Sequence, residues 1–247
     1  MSGKREKTPQ TTQREVEPQN VTFLRFTLAQ RWEHVILFIS IFVLLLTGLP
    51  QKYREYPFSQ DLLSTPERVE TIRQIHHIAA IVLALEVIYH LVRIIFLMAK
   101  RRLPGDLLPV WQDVRDAGHM VQYLLFLRRD KPKFGRYNFE QKVTYWFVFF
   151  GILIMGVSGM IIWFPIAFTQ FLPGGIVPAS KLAHSTEAIV LAIFIVIWHV
   201  FHVHIQRTNL SMFTGEVSED EMRIYHEKEY ERLTTKVGEK TKSGAKK

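Results

Sequence analysis

Eight of the ten histidines in this 247-residue chain fall in or beside long apolar stretches. They are His34, then His76, His77 and His90, then His184, His199, His202 and His204. The chain has no cysteine. That excludes disulfides, thiolate-held iron–sulfur clusters, covalent c-type haem attachment and a thiol nucleophile. Imidazole chemistry remains: metal ligation, proton transfer, or plain hydrogen-bonded burial. Ionisable side chains in lipid are expensive and face a bundle interior or pair with one another. This many at recurring depths argue for a shared task.

The spacing narrows the task. His76 and His90 stand about 21 Å apart along a helix axis and point within about 40° of each other. His184 and His199 stand about 22 Å apart and differ by about 60°. Two helices running the same way therefore each carry imidazoles near both membrane faces. Two b-type haems stacked across a bilayer need this pattern, each iron taking one imidazole from each of two helices. Depth matching joins His76 to His184 near the outer face. Near the inner face His34, His90, His199 and His202 compete. That excess leaves room for a third haem, a quinone pocket or proton transfer. His77 points about 100° away from His76 and reads as a bystander.

The elements that position these residues are four apolar spans, about 30–49, 75–98, 143–168 and 182–205. A helix needs roughly 20 apolar residues to cross the hydrocarbon. The third has no charged residue over Val143 to Phe168. The fold class is all-α: an integral membrane four-helix bundle with two b-type haems between the helices, occupying residues 23–210. A polar segment, 1–22, reads as a disordered cytoplasmic tail. It shows no apolar core of a signal peptide. A connection at about 104–128 mixes apolar and charged positions and reads as an amphipathic interfacial helix. Residues 211–247 read as a charged, exposed cytoplasmic tail with a helix over 218–233.

Lys and Arg number five in 1–29, three in 50–71, nine in 99–137, none in 165–180 and nine in 206–247. The positive-inside rule then puts both termini in the cytoplasm, in a multi-pass protein of the cell inner membrane. The net charge of +8 follows from this distribution and needs no nucleic acid.

Cations sit three residues from several histidines: Arg31 before His34, Arg73 before His76, Lys181 before His184, and Arg93 after His90. Each lies one turn toward the nearer surface on nearly the same face. Haem propionates would meet Arg31, Arg73 and Lys181 there, although Lys and Arg also gather at helix ends by snorkelling. Gly48, Gly151, Gly156 and Gly159 allow close approach of a helix or a porphyrin. Glu86 lies between the two haem levels, either as a proton relay or as a hydrogen-bonded neutral acid, and no other span carboxylate is expected to extend it.

With these residues in view the chain resembles the di-haem cytochrome b subunits of membrane-bound formate dehydrogenases (their gamma subunit) and nickel–iron hydrogenases. The resemblance runs over about residues 25–220 through RFTLAQRWEH (25–34), RQIHHIAA (73–80), GRYNFEQKVTYW (135–146), SGMIIWFP (158–165) and LAHSTEAIVLAIFIVIWHVFHVHI (182–205). It implies a respiratory membrane anchor moving electrons between a partner oxidoreductase, with its catalytic and iron–sulfur subunits, and the quinone pool. It implies haem b and a menaquinone or ubiquinone. His34, His76 and His184 fall on family ligand positions. Fourteen residues after His184, the family interval, is Trp198, which cannot ligate iron, so His199 next to it is the expected fourth ligand. A local π-bulge absorbs such a one-residue shift. The ligand scheme of bc-type cytochromes would use His90 in place of His34. Both remain candidates.

GRYNFEQK matches the family's quinone-binding stretch, making Asn138 the candidate donor to a quinone carbonyl. Asn138 with Gln141 also makes an N-terminal capping box. No site for hydride, molybdenum or nickel chemistry is legible, so substrate oxidation belongs to a partner. The competing function is a histidine-lined transporter or proton conductor without haem. Such a protein should show repeated helix pairs or broken helices, and the sequence shows no clear repeat.

Overall fold

A computed structural model describes residues 21–101, 105–205 and 208–244. The expected N-terminal tail lies, up to residue 20, outside the described residues. Four helices are long and apolar enough to cross a membrane: Leu28–Lys52, Pro66–Ala99, Phe139–Trp163 and Ile176–Ile205.

Local chemistry sets their ends. Helix α1 (Leu28–Lys52) starts where Thr27 and Gln30 form a reciprocal capping box. Two short helical turns follow the pattern of proline at a first helical position: α2 (Pro57–Leu62) and the start of α3 (Pro66–Ala99), which Thr65 caps. Helix α3 therefore begins at Pro66, well before the apolar run near 75. The connecting helix α4 (Trp111–Leu124) precedes α5 (Phe139–Trp163), capped by Asn138 and Gln141. The apolar run expected to reach Phe168 breaks at Phe164, whose φ is −121° and ψ 56°. Pro165 follows, and the residue before a proline is driven out of the α region. A separate turn, α6 (Pro165–Thr169), results. Helix α7 (Ile176–Phe194) runs on without a break into a π-helical stretch, Ile195–Ile205.

Helix α1 packs along α3, and α5 along α7, so the bundle is two helical hairpins. Ile72, Ala79, Ile161 and Leu191 are buried with the small polar residues Ser40, Thr47, Ser158 and Ser180. Large side chains such as Phe38, Phe42, Leu85, Ile95, Leu153 and Val196 are exposed. Apolar surface outside and small polar groups inside suit lipid as the solvent. Gly151 lets the second hairpin close: a Cβ there would meet Leu191 Cδ1 at 3.1 Å.

Helix α4 buries no residue, and its Trp111, Val114, Val121 and Leu124 are exposed. It is tied to α5 by polar groups. Lys142 Nζ donates to Asp113 Oδ1 at 2.8 Å, and Trp146 Nε1 donates to the carbonyl of Leu107, in the turn before α4, at 3.2 Å.

The segment after the fourth span folds. Beyond α8 (Ser211–Thr214), strand β2 (Glu216–Ser218) pairs antiparallel with β1 (Thr22–Leu24), Phe23 opposite Val217. Gly215 links α8 to β2 at φ +86°, where a Cβ would meet the Phe26 carbonyl at 3.2 Å. Helices α9 (Glu219–Tyr225) and α10 (Glu227–Gly244) follow. The His226 ring nitrogen Nδ1 bonds the Gly135 carbonyl at 2.9 Å, and the Lys228 amide donates to Phe134 at 3.1 Å. Val217, Met222 and His226 are buried. Arg25, also buried, donates to the Arg136 carbonyl while Arg136 Nη2 donates to that of Arg25 at 2.8 Å. Burial lowers the Arg25 guanidinium to about 10, which leaves it charged at neutral pH. The expectation of an exposed tail differs from this cap because its few apolar residues pair with segments far away in sequence.

Candidate functional site

The bundle brings four histidines together as two facing pairs. Far from the cap, the rings of His76 on α3 and His184 on α7 have centroids 6.4 Å apart, with planes at 68°. Near the cap, the rings of His34 on α1 and His199 are 6.2 Å apart, with planes at 45°. With a metal–nitrogen bond of about 2 Å, one ion ligated from both sides holds ring centroids about 6 Å apart. Both pairs have that span.

The hydrogen bonds of the cap-distal pair define a tautomer. Thr47 Oγ1 donates to the Val43 carbonyl at 2.7 Å, so at 2.8 Å it accepts from His76 Nδ1. Ser158 Oγ donates to the Ile154 carbonyl at 2.6 Å. His184 Nδ1 then donates to Ser158 Oγ at 3.2 Å and to the Met155 carbonyl at 3.1 Å. A proton on Nδ1 leaves the Nε2 lone pair of each ring for a metal. At the cap-proximal pair, His34 Nδ1 is buried without a hydrogen-bond partner.

The π-helical stretch explains how His199 reaches its place. Winding of about 100° per residue to Ile195 and about 80° in i→i+5 turns aims His199 within about 20° of His184, against about 60° for an unbroken α-helix. The fifteen-residue interval is thereby fitted to one helix face.

Three other span imidazoles are engaged elsewhere. His90 Nδ1 meets Glu33 Oε2 at 3.1 Å, and its Nε2 meets the Tyr145 hydroxyl at 3.0 Å. Both ring nitrogens are thus occupied: the carboxylate accepts one N–H and the phenol donates to the other. Arg93 pairs with the same Glu33 through Nε and Nη2, the latter at 2.7 Å. His77 stacks on Trp163 with centroids 3.9 Å apart. His202 Nδ1 bonds the Trp198 carbonyl of its own helix at 2.7 Å.

The expected cations have varied surroundings. Arg31 donates to the Phe213 carbonyl, and its Nε is buried without a partner. Arg73 is exposed beside Glu70. Lys181 is exposed near the start of α7. Asn138 is buried, its Oδ1 accepting the Gln141 amide at 2.8 Å and its Nδ2 reaching Glu140 at 3.4 Å.

Sequence reasoning missed three things. Glu187 on α7 is a further carboxylate within the spans, besides Glu33 and Glu86, and a Cβ on Gly151 would meet its Oε1 at 3.2 Å. Glu33 and Tyr145 were not anticipated as partners of His90; the pairing spans more than fifty residues. The hairpins also share a device that no simple repeat reveals: a hydroxyl residue followed by glycine, Thr47–Gly48 or Ser158–Gly159, set against the histidine of the second helix.

Among the described residues no three or more of His, Cys, Asp and Glu cluster as a metal cage. Two imidazoles on opposite sides suit an ion whose remaining ligands come from a planar macrocycle.

Comparisons with known proteins identify a family. Residues 25–215 match the prokaryotic cytochrome b561 family. Among curated proteins, the chain is 27% identical over 124 residues to the cytochrome b556(Fdn) subunit of nitrate-inducible formate dehydrogenase from Escherichia coli K12, covering 49% of this chain and 57% of that one. It is 30% identical over 99 residues to the cytochrome b556(fdo) subunit of formate dehydrogenase from the same strain, covering 39% and 45%. The chain thus spans about half the length of the curated relatives it matches. With four apolar helices and a family profile that runs from the start of the first to beyond the end of the last, this multi-pass membrane protein belongs to the prokaryotic cytochrome b561 family.

Proposed function

We propose that the chain is the membrane cytochrome b subunit of a respiratory oxidoreductase, carrying electrons between a formate-dehydrogenase-like partner and the quinone pool. The observation that carries this reading is the presence of two facing imidazole pairs, one toward each end of the same bundle. The family implies haem b, and the residues fit it: opposed rings at a ligating span, an Nδ1–H held by a hydroxyl on each cap-distal ring, and a buried unpartnered nitrogen on His34. Haem b supplies reversible one-electron chemistry when bound.

In this reading His76 and His184 hold one haem, and His34 and His199 hold the other. His90, with both nitrogens engaged, is a structural residue and not an inner ligand. Arg31, with its unpartnered Nε, is the best placed propionate partner of its pair. Arg73 and Lys181 are free of the interior and would turn toward propionates at the other face. The engagement of His77, His90 and His202 supports two haems and not three. Both termini are cytoplasmic in the inner membrane, α4 lies in the interface, and the catalytic and iron–sulfur subunits belong to partner chains. Purification of the intact complex from native membranes should yield such partners; a chain isolated reproducibly without any oxidoreductase would contradict this.

Asn138 serves as the quinone contact through Nδ2 while its Oδ1 caps α5. Replacing Asn138 by alanine removes the cap, worth about 1 kcal/mol, and the donor. Quinone-linked turnover should fall at least tenfold with haem content intact. Replacement by aspartate keeps the cap and removes the donor, so turnover should stay low while stability recovers. Normal turnover in the aspartate variant would remove Asn138 from the quinone site.

A further inference from the structure

The two hairpins solve the same problem twice. In α1, Thr47 is buried and Gly48 follows it; in α5, Ser158 is buried and Gly159 follows it. Each hydroxyl donates back to its own helix, to Val43 or Ile154, four residues earlier. That fixes its hydrogen and leaves a lone pair aimed at the neighbouring helix. Into that lone pair comes Nδ1 of His76 at 2.8 Å or of His184 at 3.2 Å, the latter shared with the Met155 carbonyl at 3.1 Å. The glycine beside it supplies space for the ring. A Cβ on Gly48 would lie 3.3 Å from His76 Cε1, and one on Gly159 would lie 3.1 Å from His184 Cε1. A side chain there would crowd the imidazole, so the ring or its neighbour would have to give by a few tenths of an ångström.

We propose that Thr47 and Ser158 are positioning residues that hold the Nδ1–H of His76 and His184 so that both Nε2 atoms face one shared ion, with Gly48 and Gly159 clearing the rings. The inference rests on the proposed function, since it concerns how the cap-distal ligands are set. Its chemistry is that of an outer partner to a metal-bound histidine: an acceptor on Nδ1–H fixes the tautomer and raises the basicity of the other nitrogen. A more basic imidazole favours the ferric over the ferrous ion. The same acceptor resists rotation about the Cβ–Cγ bond and so maintains the 68° between ring planes. The cap-proximal pair has no equivalent at His34, whose Nδ1 lacks a partner. The two sites therefore differ in tuning although they share ligand type.

The test is a redox titration with ferric electron paramagnetic resonance on the purified full chain, comparing wild type with Thr47→Val, Thr47→Ser, Ser158→Ala and Ser158→Thr. Thr47→Val and Ser158→Ala should raise the midpoint potential of one haem and leave the other unmoved. A tenfold selective loss of ferric affinity reads as about 59 mV. The same variants should release that haem about tenfold faster to an acceptor protein, within the range for outer partners of metal-bound histidines. Its low-spin signal should shift as the ring planes rotate. Thr47→Ser and Ser158→Thr keep the hydroxyl and should behave as wild type. A variant that loses the cap-distal haem outright, with the hydroxyl-keeping variant intact and the other haem spectrum unchanged, is the same result in stronger form. Two haems with unshifted potentials, retention and signals in both Thr47→Val and Ser158→Ala would overturn the inference alone. A wild-type chain that binds no haem would overturn the proposed function and this inference with it.

Discussion

Replacing His34 by alanine is expected to remove about one haem of two from the purified chain, whereas replacing His90 should leave both in place. The two residues are close competitors in sequence terms, since each lies near the cap end of a span and has a cation three residues away. The structure separates them by what their nitrogens touch. His34 faces His199 at a ligating span and has a buried Nδ1 with no partner. His90 spends Nδ1 on Glu33 and Nε2 on Tyr145. To ligate iron it would have to leave the Tyr145 hydroxyl unpartnered and turn away from the buried carboxylate, at a penalty of about 1–3 kcal/mol per orphaned group. Loss of haem in His90→Ala with full haem in His34→Ala would reverse the assignment. Haem content by alkaline pyridine spectra, per mole of chain, measures it.

Arg93→Ala should be the most destabilising single change outside the four ligand histidines. Glu33 is 7% exposed and accepts from Arg93 and His90. Removing the guanidinium leaves a buried carboxylate supported by one neutral imidazole and no formal charge. Breaking a buried pair from one side costs about 3–5 kcal/mol, and the remaining His90 contact puts this case near the lower end. For a chain of this size that is a fall of roughly 6–12 °C in unfolding temperature. Glu33 is adjacent to His34, so the cap-proximal haem should be lost first on heating. The double change Glu33→Gln with Arg93→Met removes both charges and should recover most of the loss, because the uncompensated charge is the source of the penalty. A single-variant shift below about 2 °C would mean that water or a rearranged partner already satisfies Glu33.

The parts of this protein that were legible in the sequence are those set by short-range pattern. Four spans follow from apolar runs, and the Asn138 helix start follows from cap chemistry. The resemblance gives an interval that ends on Trp198, which cannot ligate, and so points to His199; the structure sets His199 opposite His34 within the π-helical stretch from Ile195 to Ile205. Long-range partnerships were not legible. The partners of His90, Glu33 on α1 and Tyr145 on α5, lie far away in sequence, and nothing in HHIAAIVLALEVIYH announces them. Glu187 escaped notice among the apolar residues that follow His184. Thr47–Gly48 and Ser158–Gly159 looked like ordinary helix-packing residues, since a hydroxyl becomes a histidine partner only once a second helix lies against it. The cap escaped for the same reason: strand β1 and strand β2 are three residues each and have all four spans between them in sequence.

The central claim is that this chain holds two haems b through two histidine pairs. The most direct measurement is the haem-to-chain ratio of the purified protein, read with its dithionite-reduced spectrum. A reduced b-type spectrum at about two haems per chain, falling to about one in His184→Ala, is the predicted result. A chain purified intact from haem-replete cells with no b-type absorption, or one whose haem content is unchanged in His184→Ala, would contradict it.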